Sequence, residues 1–172
     1  MHAIDFSCDI GTPLLAVGNG TVVQSKDSNT LTGIAVSNLF EWNSILIQLD
    51  DTGDNDGEAK EPEGFTLFGE SSTKSGGSTT DGPLFVEYVH IESACVKAGD
   101  RVVRGQVIGT SGSVGFSPEP HLHFSAFRSS APDAPTVRVR FAPSEPGGKP
   151  FVPRAGNWYN ESGLVGSPAE NA

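Results

Sequence analysis

Two histidines stand two residues apart in the segment EPHLHFSAF, residues 119–127. On an extended strand, residues i and i+2 project to the same face, so His121 and His123 share one face while Leu122 points the opposite way. Two imidazoles on one face can serve a single site, where one binds a metal and the other stands beside the attacking water. The alternative interpretation is a half-buried strand that carries two hydrogen-bonded surface histidines.

Three further residues could complete such a site. His90 ends the apolar segment PLFVEYVHI, residues 83–91, and the N-terminal segment HAIDF offers His2 and Asp5. Two imidazoles and a carboxylate are a ligand set that suits Zn²⁺. A phosphate site is not expected, because the glycine-rich segment before the histidine pair lacks the G-K-[ST] ending of a phosphate-binding loop.

Short strands must position these residues. The 172 residues include 21 glycines and 12 prolines, and this many turn-forming residues favours strands over long helices. We find no segment with a convincing helical period. The sequence therefore predicts one all-β, mainly antiparallel domain with long loops. Strands are predicted within residues 11–25, which hold two, and at residues 44–51, 83–91, 101–103, 121–128 and 136–143.

Two segments interrupt this pattern. Residues 50–83 are acidic and rich in glycine, serine and threonine, so we predict an exposed, partly disordered insertion there. The run DNDGE inside it lacks the twelve-residue spacing of an EF-hand, and a solvated loop is the expected interpretation. Residues 164–172 are small and polar, which predicts a flexible tail after a domain that spans residues 1–163.

Charge and hydropathy limit the partners. The formal net charge is −10, so nucleic acids and anionic membrane surfaces are not expected, since each needs a basic face. No apolar stretch approaches the roughly 20 residues that span a bilayer. The N-terminus shows no basic region followed by an apolar one, as a signal peptide would. The compartment and the oligomeric state are left open by these patterns.

At this point four segments, taken in order, resemble the motifs of the M23 family of zinc metallopeptidases, of the lysostaphin or LytM type. Any one segment is weak evidence, but the ordered set is specific. The resemblance implies an M23-type sheet with a groove, a Zn²⁺ cofactor, and hydrolysis of peptide bonds in bacterial peptidoglycan, often next to glycine. The segments are AIDFSCDIGTPLLAVGNGTVV (3–23), VEYVHI (86–91), VKAGDRVVRGQVIGTSGSVGFS (96–117) and PHLHF (120–124).

The same resemblance implies roles for individual residues. Asp5 and His123 match two of the family's metal ligands. His90 and His121 match its two catalytic histidines, which do not bind the metal but hold or polarise the attacking water.

The remaining metal ligand departs from the family pattern, which commonly has a histidine four residues before the aspartate. Met1 occupies that position, and His2 lies only three residues before Asp5. Residues i and i+3 of a strand face opposite ways, so His2 can be a metal ligand only if the chain bends at residues 3–4. Otherwise the ligand lies upstream of this start, or the site lacks it.

Two functions follow from these patterns. The first is a zinc-dependent endopeptidase that acts on peptides, most readily those of peptidoglycan, through a metal-activated water. The alternative is a non-catalytic M23-like domain that binds or regulates a partner, which the incomplete ligand motif favours. Three histidines that could meet at one site count against this alternative, because a binding module has little need of them.

Overall fold

The structure, a computed structural model, describes residues 2–50, 66–69, 82–142, 150–160 and 163–166. These residues form thirteen strands and one 3₁₀ turn at Val36–Asn38. Every strand pair is antiparallel, so the predicted all-β, mainly antiparallel fold is confirmed. The strands are β1 (Ala3–Ser7), β2 (Pro13–Leu15), β3 (Gly20–Lys26), β4 (Ser44–Leu49), β5 (Thr66–Gly69), β6 (Phe85–Val89), β7 (Ile91–Ala94), β8 (Arg101–Val102), β9 (Val107–Ser111), β10 (His121–Phe127), β11 (Val139–Ala142), β12 (Trp158–Asn160) and β13 (Gly163–Gly166).

The largest sheet among the described residues has six strands, in the order β1-β10-β6-β4-β3-β8. A second sheet of three strands has the order β2-β9-β7, and β11-β5 and β12-β13 form two-stranded ribbons. The strand predicted at residues 44–51 is β4, an interior strand on which Ile45 and Ile47 are fully buried. Among the described residues, no helix is long and apolar enough to cross a bilayer.

The core lies against one face of the six-stranded sheet. On β10 the alternate residues Phe124 and Ala126 are buried in the core, and Leu122 packs against it. The Phe124 ring meets the Tyr88 ring edge to face at a centroid distance of 5.3 Å and the Phe6 ring at 6.5 Å. Such aromatic pairs add about 0.5–1.5 kcal/mol each beyond the area that they bury. They fix the backbone of β10, from which the two histidines project on the opposite face.

The predicted strand over residues 83–91 is broken at His90. Strand β6 ends at Val89 in the large sheet, and β7 begins at Ile91 in the small one. His90 has a φ of 64°, in the left-handed region that non-glycine residues rarely adopt. A continuous strand would have placed His90 on the core face with Tyr88. The turn removes His90 from that alternation, so the prediction of one continuous strand was wrong.

Tyr88 belongs to the core. Its side chain is 1% exposed, and its hydroxyl donates to the Leu15 carbonyl at 3.1 Å and accepts from the Val17 amide at 2.9 Å. Burial raises the pKa of the Tyr88 phenol, so the group stays neutral. Tyr88 therefore joins β6 to the segment that starts at β2 and does not line a groove.

The two predicted irregular segments fall mostly outside the described residues. Of the insertion predicted over residues 50–83, the structure describes Asp50, the strand β5 and residues 82–83, whereas the DNDGE run lies outside. The tail predicted for residues 164–172 begins within β13, which pairs with β12, and residues 167–172 lie outside.

Candidate metal centre

The pairing of β1 with β10 brings a carboxylate and two imidazoles together. The register sets Asp5 opposite His123 and Ser7 opposite His121, and directly opposed residues share a face of the sheet. His123 Nδ1 lies 2.7 Å from Asp5 Oδ1, and His121 Nε2 lies 3.9 Å from the same oxygen. Among the described residues, Asp5, His121 and His123 form a group whose ligand atoms all lie within 4.8 Å of one another.

His90 approaches this group from the turn between the two sheets. Its ring centroid lies 4.8 Å from that of His121 and 6.1 Å from that of His123. His90 Nδ1 lies 2.7 Å from the Val114 carbonyl oxygen. A carbonyl can only accept, so Nδ1 carries the proton and the neutral ring has its lone pair on Nε2.

His121 is held in the same tautomer. Its Nδ1 lies 2.8 Å from the Glu119 carbonyl oxygen, which again makes Nδ1 the donor. The buried Ser117 hydroxyl donates to the same carbonyl at 2.7 Å and lies 3.3 Å from His121 Nδ1. His121 therefore turns an unprotonated Nε2 towards Asp5.

The electrostatic environment keeps His90 neutral. Burial is the largest cause that lowers the pKa of the His90 imidazole, and the neighbouring His121 and His123 lower it further. The hydrogen bond to Val114 and the Asp5 carboxylate oppose this shift without cancelling it. A neutral imidazole with a free Nε2 can accept a proton at neutral pH. Asp5 is 64% exposed, so the group is open to solvent on that side.

The glycine-rich loop after β9 supplies polar groups that contact these rings. It contributes the Val114 carbonyl and the Ser117 hydroxyl, and it is itself held by the Gly115 amide, which donates to the Leu31 carbonyl at 2.7 Å. Gly115 has a φ of +95°, and a Cβ added there would lie 2.9 Å from the Trp42 Cα. No sequence pattern indicated a role for Val114 or Ser117, because a backbone carbonyl or a lone serine leaves no motif.

His2, the remaining metal ligand that the sequence analysis proposed, is not among the residues of this group. Strand β1 starts at Ala3 and runs extended, so the bend that His2 would need at residues 3–4 is absent. The His2 amide donates to Thr136 Oγ1 at 2.6 Å. Its side chain lines a separate surface cleft together with Ile4 and Arg138. As the alternation of a strand requires, His2 and Asp5 lie on opposite faces.

Comparison with known proteins finds similarity to one family of peptidases. A model described as "Peptidase family M23" matches residues 77–135, the part of the chain that contains His90, His121 and His123. The glycyl-glycine endopeptidase ALE-1 of Staphylococcus capitis is 29% identical over 129 residues, which cover 75% of this chain and 25% of that protein. The peptidoglycan DD-endopeptidase ShyC of Vibrio cholerae is 27% identical over 120 residues, which cover 70% of this chain and 18% of that protein.

A solved structure, the catalytic domain of the antimicrobial peptidase lysostaphin from Staphylococcus simulans, is 28% identical with a TM-score of 0.49. The match covers 79% of this chain and 74% of that one. The chain spans about a quarter or less of the length of the curated relatives named above. The family match and the relatives confirm the resemblance to peptidase family M23 that the order of motifs indicates, and the chain is similar to endopeptidases of that family.

Proposed function

We propose that this chain is a zinc-dependent endopeptidase that hydrolyses peptide bonds of peptidoglycan peptides, including bonds next to glycine. The observation that carries the proposal is the convergence of Asp5, His121 and His123 beside the free Nε2 of His90. The substrate class is supported by the relatives, of which one is named a glycyl-glycine endopeptidase and another a peptidoglycan DD-endopeptidase.

The donor set fits zinc in number, type and spacing. Catalytic zinc sites normally have three protein ligands of nitrogen or oxygen type. Tetrahedral ligands at the usual bond lengths lie about 3.3 Å apart, and the distances of 2.7 Å and 3.9 Å from Asp5 Oδ1 to the two imidazoles bracket that value. We assign Asp5 and His123 as ligands, and His121 Nε2 as the third donor in place of His2.

Bound there, zinc would supply Lewis-acid activation of a water and of the scissile carbonyl. The residues of the chain would supply the proton transfers. His90 Nε2 accepts the proton of the attacking water and returns it to the leaving amine. The Val114 carbonyl holds His90 Nδ1–H throughout, so the ring keeps its orientation and the imidazolium is stabilised while it lasts.

Cleavage of a pentaglycine peptide and of purified peptidoglycan tests this proposal. The protein is treated with a chelator and then resupplied with zinc. We expect cleavage that the chelator abolishes and zinc restores. His90→Gln should lower the rate by about 10²–10⁴-fold, because general acid–base catalysis is lost. It should leave the zinc content unchanged.

His2→Ala is the matched control, because His2 lies outside the group and its loss should leave the rate unchanged. Cleavage that is insensitive to the chelator would rule the mechanism out. Stoichiometric zinc without any cleavage would instead favour the non-catalytic binding domain.

A further inference from the structure

A carboxylate that the mechanism does not use lies on the same face of the sheet as the metal-binding group. Strand β6 pairs with β10 so that Glu87 is opposite Ser125 and Val89 is opposite His123. Residues two apart on a strand share a face, so Glu87 lies on the face of His123, one step further from Asp5. Glu87 is half-buried, and the residues two before and two after it, Phe85 and Val89, are buried.

Two buried serines share this face of the sheet with the carboxylate, and Ser125 is its cross-strand neighbour. The Ser44 hydroxyl on β4 hydrogen-bonds to Glu87, and Ser125 Oγ on β10 lies 3.4 Å from His123 Nε2. Glu87 and His123 are close enough for their charges to interact. Placing an acidic group inside a sheet costs free energy unless it is compensated, so its position needs a reason. We call Ser44, Glu87 and Ser125 the polar strip.

The two nitrogens of His123 therefore face different partners. Nδ1 faces Asp5 at 2.7 Å, and Nε2 faces the polar strip. The neutral ring has one proton, and without a metal that proton can stay on Nδ1 and be donated to Asp5. Binding a cation through Nδ1 needs the lone pair there, so the ring proton must reside on Nε2. Ser125 Oγ is placed to accept a hydrogen bond from Nε2–H, and the nearby Glu87 carboxylate favours a proton at Nε2.

We propose that Glu87 is a positioning residue which, through Ser125, stabilises the Nε2–H tautomer of His123 and so strengthens divalent cation binding at Nδ1. This inference rests on the proposed function and deepens it, because it names a determinant of the metal affinity of the same site. Glu87 is not one of the three ligands, and in this proposal it acts only through the orientation and tautomer of the His123 ring.

Zinc affinity, measured by competition with a chromophoric chelator, tests the proposal. Loss of a residue that supports a metal ligand in this way typically costs 10–100-fold in affinity, and we expect about that loss for Glu87→Gln. Glu87→Asp keeps the charge and should recover part of it. Glu92→Gln is the matched control, because it removes one negative charge from an exposed site on the small sheet and should leave the affinity unchanged. Equal affinities of Glu87→Gln and the wild-type protein would overturn the proposal.

A second readout does not depend on zinc. In chelator-treated protein, ¹⁵N NMR of the imidazoles reports the His123 tautomer, and Glu87→Gln should shift it towards Nδ1–H. An unchanged tautomer overturns the inference, even if the wild-type protein binds no zinc. Absence of zinc binding or cleavage by the wild-type protein defeats the proposed function instead, so the two failures can be told apart.

Discussion

Gly115 gives the sharpest test of how the glycine-rich loop holds the site. A methyl group added there would lie 2.9 Å from both the Cα and the Cβ of Trp42, and the φ of +95° is unfavourable for any other residue. The left-handed backbone costs an L-residue about 1–2 kcal/mol. Forcing a methyl into occupied space costs typically 1–3 kcal/mol more.

Gly105→Ala separates these two costs. Gly105 also has a positive φ, of +79°, but a Cβ there meets no atom within 4 Å. Its substitution carries only the backbone cost, so Gly115→Ala should be less stable than Gly105→Ala by about 1–3 kcal/mol. At about 2–4 °C per kcal/mol for a domain of this size, the two midpoints should differ by about 2–12 °C.

Thermal unfolding in the presence of a chelator measures this difference without a contribution from metal binding. To relieve the contact with Trp42, the loop must shift, and the Val114 carbonyl would then move away from His90. We therefore expect Gly115→Ala to lower peptide cleavage more than Gly105→Ala does at a temperature where both remain folded. Equal unfolding midpoints for the two variants would show that the loop is not held against Trp42 as described.

Three further predictions concern stability. Tyr88→Phe leaves the partly buried Val17 amide without its acceptor and should cost about 1–3 kcal/mol in urea unfolding. The hydrogen bond and charge of Arg101 lower the pKa of Asp50 below its ordinary 3.8, so this pair stabilises the fold above pH 3.8 and the effect is lost as pH falls through the lowered value. Acid titration of Asp50→Asn should show a weaker loss there, and an identical pH profile would contradict it. Burial raises the pKa of Glu87 above 4.5, so the free energy of unfolding falls as pH rises from 4.5 through the raised value. Glu87→Gln should remove that fall, and a persistent fall would contradict this reasoning.

Local patterns predicted the parts of the fold that depend on alternation. The apolar residues of β4 indicated an interior strand, and the H-x-H spacing put two imidazoles on one face of β10. Glu87 also left a signal in the sequence. A charged residue between buried positions of an apolar strand is costly, and such a residue needs a partner or a role.

The remaining features depend on non-local contacts. The φ of 64° at His90 arises where the chain passes from one sheet to the other, and nothing local to the sequence marks a non-glycine residue for that conformation. The tautomers of His90 and His121 are fixed by the carbonyls of Val114 and Glu119, whose side chains play no part in that contact. Strand β1 stays extended from Ala3 where it pairs with β10. Residues three apart on an extended strand lie on opposite faces, so His2 lies away from Asp5.

The zinc content of the purified chain tests the central claim most directly. Native mass spectrometry of protein refolded with zinc and then dialysed should find one zinc ion per chain in the wild-type protein and in His2→Ala. It should find none in the double variant Asp5→Asn/His123→Ala. Near-zero zinc in the wild-type protein, or unchanged zinc in the double variant, would contradict the assignment of Asp5, His121 and His123 as the metal-binding group.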